Sequence, residues 1–158
     1  MLSNVSFAAA INPIDITGSL TLVYTGYGLS PSYSVNSAGT PSFIYTDINT
    51  GTILGSTAPK NIGKYNVKIT LNGPPNDGYV AQADYTIIKS VIELTASTNT
   101  KVYDGTLSAT ATPTITSGSL GFGDIAIFIE TYDTKNQGTG KTLTPAVVSI
   151  LDATSASV

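Results

Sequence analysis

Residues 64–71 read Lys64-Tyr65-Asn66-Val67-Lys68-Ile69-Thr70-Leu71. In an extended chain Tyr65, Val67, Ile69 and Leu71 fall on one side, and Lys64, Asn66, Lys68 and Thr70 on the other. A period of two held over the whole stretch predicts a strand with one buried face and one wet face, as in an antiparallel sandwich. Almost no stretch has helical periodicity. Short runs of Val, Ile, Thr and Tyr alternate with clusters of Gly, Pro, Asn and Asp, the pattern of strands and turns. Strands are predicted over 6–11, 20–24, 32–35, 42–45, 63–71, 82–88, 91–97, 109–115, 125–132, 141–143 and 147–151. The segment Asn72-Gly73-Pro74-Pro75-Asn76-Asp77-Gly78 is not a strand, because its prolines lack the amide donor and fix φ. It is expected to cross one end of a domain.

Composition narrows the chemistry. Charged residues make up 11% of the 158, and the net charge is -3. An ordinary globular chain has about 25% charged residues, so Thr, Ser, Asn and Gly must cover this surface, as in many exported β-proteins. All seven basic residues are Lys, and they form no run or patch, which argues against nucleic acid as a partner. The chain has no Cys and no His. Without them the common zinc, haem and iron–sulfur sites are excluded, and so are Ser-His and Cys-His nucleophile pairs. No cofactor and no metal is expected. No apolar run reaches the roughly 18 residues of a membrane-spanning helix. The first residues, Met1-Leu2-Ser3-Asn4-Val5, carry no basic segment of the kind that opens a signal peptide. If the parent protein is exported, the expectation is an internal fragment with a start Met.

Three landmarks recur in the same order. Tyr24 in Val23-Tyr24-Thr25-Gly26 and Tyr103 in Val102-Tyr103-Asp104-Gly105 are 103 − 24 = 79 residues apart. Lys60-Asn61-Ile62-Gly63 and Lys135-Asn136-Gln137-Gly138 are 135 − 60 = 75 apart. Ile11-Asn12-Pro13 and Ile88-Lys89-Ser90 are 88 − 11 = 77 apart. A unit of that length is a small β-domain, larger than most solenoid repeats. The expected division is 1–13 as the last strand of a preceding repeat, 14–90 as one repeat, and 91–158 as a second that lacks its last strand. A sandwich short of a strand exposes an edge. Completion of that edge by residues 3–11 of a neighbouring copy would give head-to-tail self-association. The join over 89–92 has no flexible Gly/Ser spacer, which favours a stiff rod.

Residues 101–106, with Gly123-Asp124 and the run 133–142, resemble the YDG repeat of large bacterial haemagglutinin-like surface proteins. Residues 14–89 resemble the related MBG-type repeat, through the Tyr-x-Gly opening, Asn61-Ile62-Gly63-Lys64-Tyr65, and the closing Tyr85-Thr86-Ile87. The opening has Thr25 where Asp is common. The resemblance implies an extracellular or bacterial cell-surface, adhesin-like protein built from serial β-domains. It implies no particular ligand.

The expected fold is all-β, as two consecutive small antiparallel domains of the immunoglobulin-like sandwich type, with a β-grasp-like arrangement as the alternative. Tyr24, Gly26, Tyr103, Asp104 and Gly105 are read as a structural motif. Each tyrosine packs its ring under the turn that follows, and Asp104-Gly105 supplies a turn with positive φ; stacking of the tyrosines on sugar rings is the alternative. Asp47-x-Asn49-x-Gly51 reads as a hairpin turn rather than half of a calcium loop, since the calcium loop needs Gly at its sixth position and Glu at its twelfth. A Lys–Asn crosslink at Lys60-Asn61 or Lys135-Asn136 is set aside in favour of ordinary turns. The run 122–129 reads as a strand covered on both sides, with an interface as the alternative. Ligand-binding candidates are Asn72, Asn76, Asp77 and Tyr79 in an end loop. The expected role is a non-catalytic spacer of a surface adhesin. The second reading is a module that binds host or environmental glycans or proteins through its end loops. Other repeats of the same chain are the expected partners, with no nucleic acid and no membrane span.

Overall fold

The computed structural model describes residues 12–152. The strands are β1 (Ile14–Ile16), β2 (Thr21–Val23), β3 (Tyr33–Val35), β4 (Thr40–Asp47), β5 (Ile53–Gly55), β6 (Gly63–Asn72), β7 (Tyr79–Ile88), β8 (Glu93–Thr95), β9 (Thr114–Ser117), β10 (Ile125–Tyr132) and β11 (Leu143–Leu151). The described residues contain no helix. The strand expected over 6–11 lies outside them.

The chain forms two compact units. The first holds the residues up to Leu22, Gly28–Pro59 and Gly63–Ile87; the second holds Val23–Tyr27, Lys60–Ile62 and the residues from Ile88 on. The second unit thus takes in two short segments, around Tyr24 and Asn61, that the sequence repeat assigns to the first.

In the first unit β1 pairs with β3, and a five-stranded sheet runs β2-β7-β6-β4-β5. The alternating strand is at the centre of that sheet. β6 pairs antiparallel with β4 on one side and with β7 on the other. Its Val67, Ile69 and Leu71 are wholly buried, and Tyr65 nearly so. Tyr85 and Ile87 of β7 and Tyr45 of β4 complete this layer. Truncating Leu71 to Ala would cost about 2–5 kcal/mol, the usual range for a closed aliphatic site.

The sheet is not wholly antiparallel as expected. Thr86 N–H donates to Leu20 O, and Tyr24 N–H donates to Ile88 O, both at 2.9 Å. The bonds advance in the same direction along both strands, so β2 runs parallel to β7. β1 and β5, three residues each, were not among the expected strands.

The second unit has two two-stranded antiparallel sheets, β8–β9 and β10–β11. β10 and β4 have the same length and the same order of exposed, half-buried and buried positions. Phe128 corresponds to Phe43, and Glu130 to Tyr45. Every residue of β4 pairs with β6, and every residue of β10 pairs with β11. The described part of the second unit has no strand between β10 and β11 where β5 lies in the first; residues 107–109 bridge that edge of β10 instead.

β11 is a single strand where the sequence suggested two pieces, 141–143 and 147–151, divided by Pro145. Ala109 N–H donates to Glu130 O, and Tyr132 N–H donates to Leu107 O. The backbones of Glu130 and Tyr132 therefore turn away from β11. Pro145, opposite Glu130, then sits in a non-hydrogen-bonded pair, so its missing donor costs the ladder nothing.

The run 122–129 departs from its expectation. Ile125, Ile127 and Ile129 are 66%, 52% and 46% exposed, so this face of β10 is open rather than covered. The isoleucines alternate outward while Ala126 and Phe128 turn inward and are half-buried.

Candidate functional site

The two Tyr-x-Gly motifs have different fates. Tyr24 is buried, and its hydroxyl donates to Asp124 Oδ1 at 2.8 Å. Gly121 N–H donates to Asp124 Oδ2 at 3.0 Å, and Phe122 N–H to Thr25 O at 2.7 Å. The rings of Tyr27 and Phe122 stack with centroids 4.7 Å apart. Gly26 has φ of +80°, and a Cβ there would lie 2.5 Å from both N and O of Phe122. Only glycine fits that backbone approach. Burial, and then the Asp124 carboxylate, push the Tyr24 hydroxyl up to about 12. All of these residues belong to the second unit.

Tyr103 does not repeat it. Its side chain is 63% exposed and Val102 is 89% exposed. The position beneath this turn is taken by Lys101 instead. Lys101 Nζ donates to Asp104 Oδ1 at 2.7 Å, to Thr106 O at 3.0 Å and to Thr106 Oγ1 at 2.9 Å. It also lies 5.6 Å from the centre of the Tyr132 ring, a favourable place for a cation. Asp104 Oδ1 further accepts from Thr106 N–H at 2.8 Å and from Thr106 Oγ1 at 2.9 Å. The Lys101 ammonium, followed by these two Thr106 donors, holds the Asp104 carboxyl down at about 2. Gly105 supplies the positive φ, +75°, that closes the turn.

Facing this turn is the β10–β11 connection. Asp133 N–H donates to Thr142 O at 3.0 Å and closes it. Lys141 Nζ donates to Thr134 O at 3.0 Å and Thr134 Oγ1 at 2.7 Å. Between the two loops is an open groove of about 710 Å³, with Lys101, Tyr103, Asp104, Tyr132, Asn136 and Lys141 among its lining residues. It lies wholly in the second unit. Its volume is within the usual range for a small-molecule site, about 300–1,000 Å³. Sequence reasoning singled out Tyr103 and Asp104 but did not place Tyr132, Asn136 and Lys141 beside them. The proximity of 132–141 to 101–106 depends on how β10 and β11 pair, which no local pattern reveals.

The end-loop candidates are tied largely to their own unit. Asn72 Nδ2 donates to Thr40 O, Ser42 Oγ and Thr70 O. Asn76 Nδ2 donates to Ser37 Oγ at 2.9 Å and Ala38 O at 3.4 Å. Asp77 Oδ1 accepts from Gly73 N–H at 3.2 Å. The Pro74–Pro75 bond is cis. Tyr79 is half exposed and helps to line a smaller cavity of about 390 Å³ in the first unit. The Asp47 loop is a turn: Asp47 Oδ1 accepts from Asn49 N–H and Thr50 N–H, and Gly51 N–H donates to Asp47 O. Among the described residues, no three Asp, Glu, His or Cys side chains gather to hold a metal ion.

Comparison of the chain with known protein families, with curated proteins and with solved structures finds no match.

Proposed function

We propose that this chain is a non-catalytic, extracellular repeat segment of a bacterial surface adhesin, serving as a spacer built from small β-domains of the immunoglobulin-like sandwich type. The observation that carries this reading is the recurrence of β4 in β10. Two strands of equal length share one burial pattern, and each pairs along its whole length with the next long strand. Serial reuse of one unit is how such spacers are extended. The surface is Thr-, Ser- and Asn-rich with few charges, which suits an exported chain, and other repeats of the same chain are its expected neighbours. Force spectroscopy on the chain flanked by reference domains tests the reading. Two resolved unfolding steps are expected, one per unit. A single cooperative step, or hydrolase or transferase turnover by the purified chain, would overturn it.

A second reading, an adhesive module that binds glycans or proteins through its loops, is favoured by one observation. The groove between 98–106 and 132–143 is lined by the exposed Tyr103 ring and by the hydrogen-bonded Lys101, Asp104 and Thr106.

A further inference from the structure

We infer that the groove of the second unit binds an anionic oligosaccharide, a short run of sugar rings bearing carboxylate or sulfate groups, with one ring lying on Tyr103. The inference rests on the binding-module reading and narrows it to one site and one ligand chemistry.

Charge comes first. The groove is lined by Lys101, Lys135, Lys141 and Asp104. Three cations and one anion give 3 − 1 = +2, on a chain whose net charge is -3. The donors can then be counted. An ammonium has three N–H groups. Lys101 uses all three on Asp104 and Thr106, so it belongs to the framework and cancels Asp104. Lys141 uses two, both on the neutral oxygens of Thr134. Its charge is uncompensated and one donor is left. Lys135 is exposed, and its ammonium bonds to no described protein group. The net positive charge of the groove thus resides in Lys135 and Lys141, on the wall that faces Tyr103.

The remaining chemistry suits sugars. Tyr103 is 63% exposed and lines the groove, and an accessible aromatic ring can stack on the C–H side of a pyranose. The side-chain amides of Asn136 and Gln137 line the groove, are exposed, and bond to no described protein group. Each offers two donors and an acceptor in one plane, which matches adjacent hydroxyls. The Lys101–Asp104–Thr106 framework fixes the turn that carries Tyr103, so little ordering cost falls on binding. Single-stranded nucleic acid would need a longer basic track and several stacking rings; here there are two free cations and one open ring.

The test is titration calorimetry of the whole chain with four probes: a galacturonate oligosaccharide, a heparin-derived oligosaccharide, a neutral malto-oligosaccharide, and single-stranded DNA. Saturable binding of at least one acidic saccharide is expected, weakening as salt is raised. Tyr103→Ala and the double variant Lys135→Gln, Lys141→Gln should each weaken it by about tenfold. Lys64→Gln, in the first unit, should leave it unchanged. The galacturonate and heparin arms separate carboxylate from sulfate. Circular dichroism melts confirm that each variant is folded, and Lys135→Gln alone, at an exposed side chain, keeps the test open if the double variant is not. Binding of neither acidic probe, equal binding of the neutral probe or the DNA, or binding indifferent to these variants would overturn the inference. Strong neutral-glycan binding lost in Tyr103→Ala would sink the anionic assignment alone and leave the binding-module reading standing.

Discussion

Tyr24 and Asp124, a hundred residues apart in sequence, share a 2.8 Å hydrogen bond in the second unit. The tyrosine hydroxyl is the donor and the carboxylate the acceptor. Hydrogen bonds to charged groups are worth about 1.5–3 kcal/mol, so Tyr24→Phe should lower the stability of the second unit by about that amount at neutral pH. The pH dependence is set by the raised Tyr24 pKa of about 12, against an ordinary value of 10.0. The folded state holds the proton more tightly than the unfolded state. The stabilisation is therefore fully present below pH 10.0 and is lost as pH rises toward about 12. Urea melts across this window should show a steep alkaline loss that is shallower in Tyr24→Phe. Tyr85 of the first unit is also pushed up, by burial and then by the neighbouring Tyr45 and Tyr65, so part of the loss remains in the variant. Identical alkaline limbs would rule out the role given to Tyr24.

Gly26 and Gly51 separate two costs of replacing glycine. Both have positive φ, +80° and +71°. Around Gly51 nothing lies within 4 Å of an added Cβ, whereas at Gly26 the Phe122 backbone is only 2.5 Å away. Gly51→Ala should cost about 1–2 kcal/mol, the left-handed penalty alone. Gly26→Ala must also push apart the 24–27 and 120–124 segments, and should cost clearly more. Equal losses in chemical denaturation would mean that the close approach at Phe122 is not maintained in solution.

The features visible in the sequence are those set by neighbouring residues. The alternation at 64–71 defined the central strand, because four alternate apolar side chains permit one burial face. The bounds of β10 were readable for a related reason, since turn residues flank a continuous β-rich run. β11 was obscured by Pro145, which a sequence reading must treat as a breaker until the unused side of its backbone is known. Tyr24 and Tyr103 looked equivalent because they share a local motif. One difference is local, since Lys101, two residues before Tyr103, bonds to Asp104 and Thr106 in the turn; the other is distant, since Asp124 reaches Tyr24. The groove was hidden in the same way. Lys135 and Asn136 read as a turn and lie in a bend, which β10 and β11 carry to the side of Lys101.

The Lys101–Asp104 pair gives a prediction in acid. Asp104 is held down at about 2 by Lys101 and the Thr106 donors. A depressed carboxylate contributes order to its loop above the ordinary value of 3.8, and that contribution is lost as pH falls toward about 2. The amide proton of Thr106, bonded to Asp104 Oδ1, reports it directly. Its NMR shift should titrate near the lower value in the native chain. In Lys101→Met the midpoint should rise toward the ordinary carboxylate range, because the first of the stabilising partners is gone. An unmoved midpoint would show that Thr106 alone sets the carboxylate.

Glu130 supplies the last prediction, from a comparison within the chain. It occupies in β10 the buried place that Tyr45 fills in β4, and it is 1% exposed. Oε2 accepts from Ser97 N–H at 2.8 Å, while Oε1 is buried with no partner among the described residues. Burying a carboxylate oxygen without a donor is costly, and removing the charge while keeping the shape relieves that cost. Glu130→Gln retains an acceptor for Ser97 but puts its NH2 in the buried place of Oε1, so the lost charge and the new donors offset and stability should change by less than about 1 kcal/mol. Glu130→Leu also removes the charge, but it leaves Ser97 N–H without its acceptor and should cost about 1–3 kcal/mol. The pair of variants therefore separates charge from hydrogen bond. Thermal melts in which Gln and Leu are equally damaging would mean that the carboxylate charge itself holds the 97–99 segment against β10.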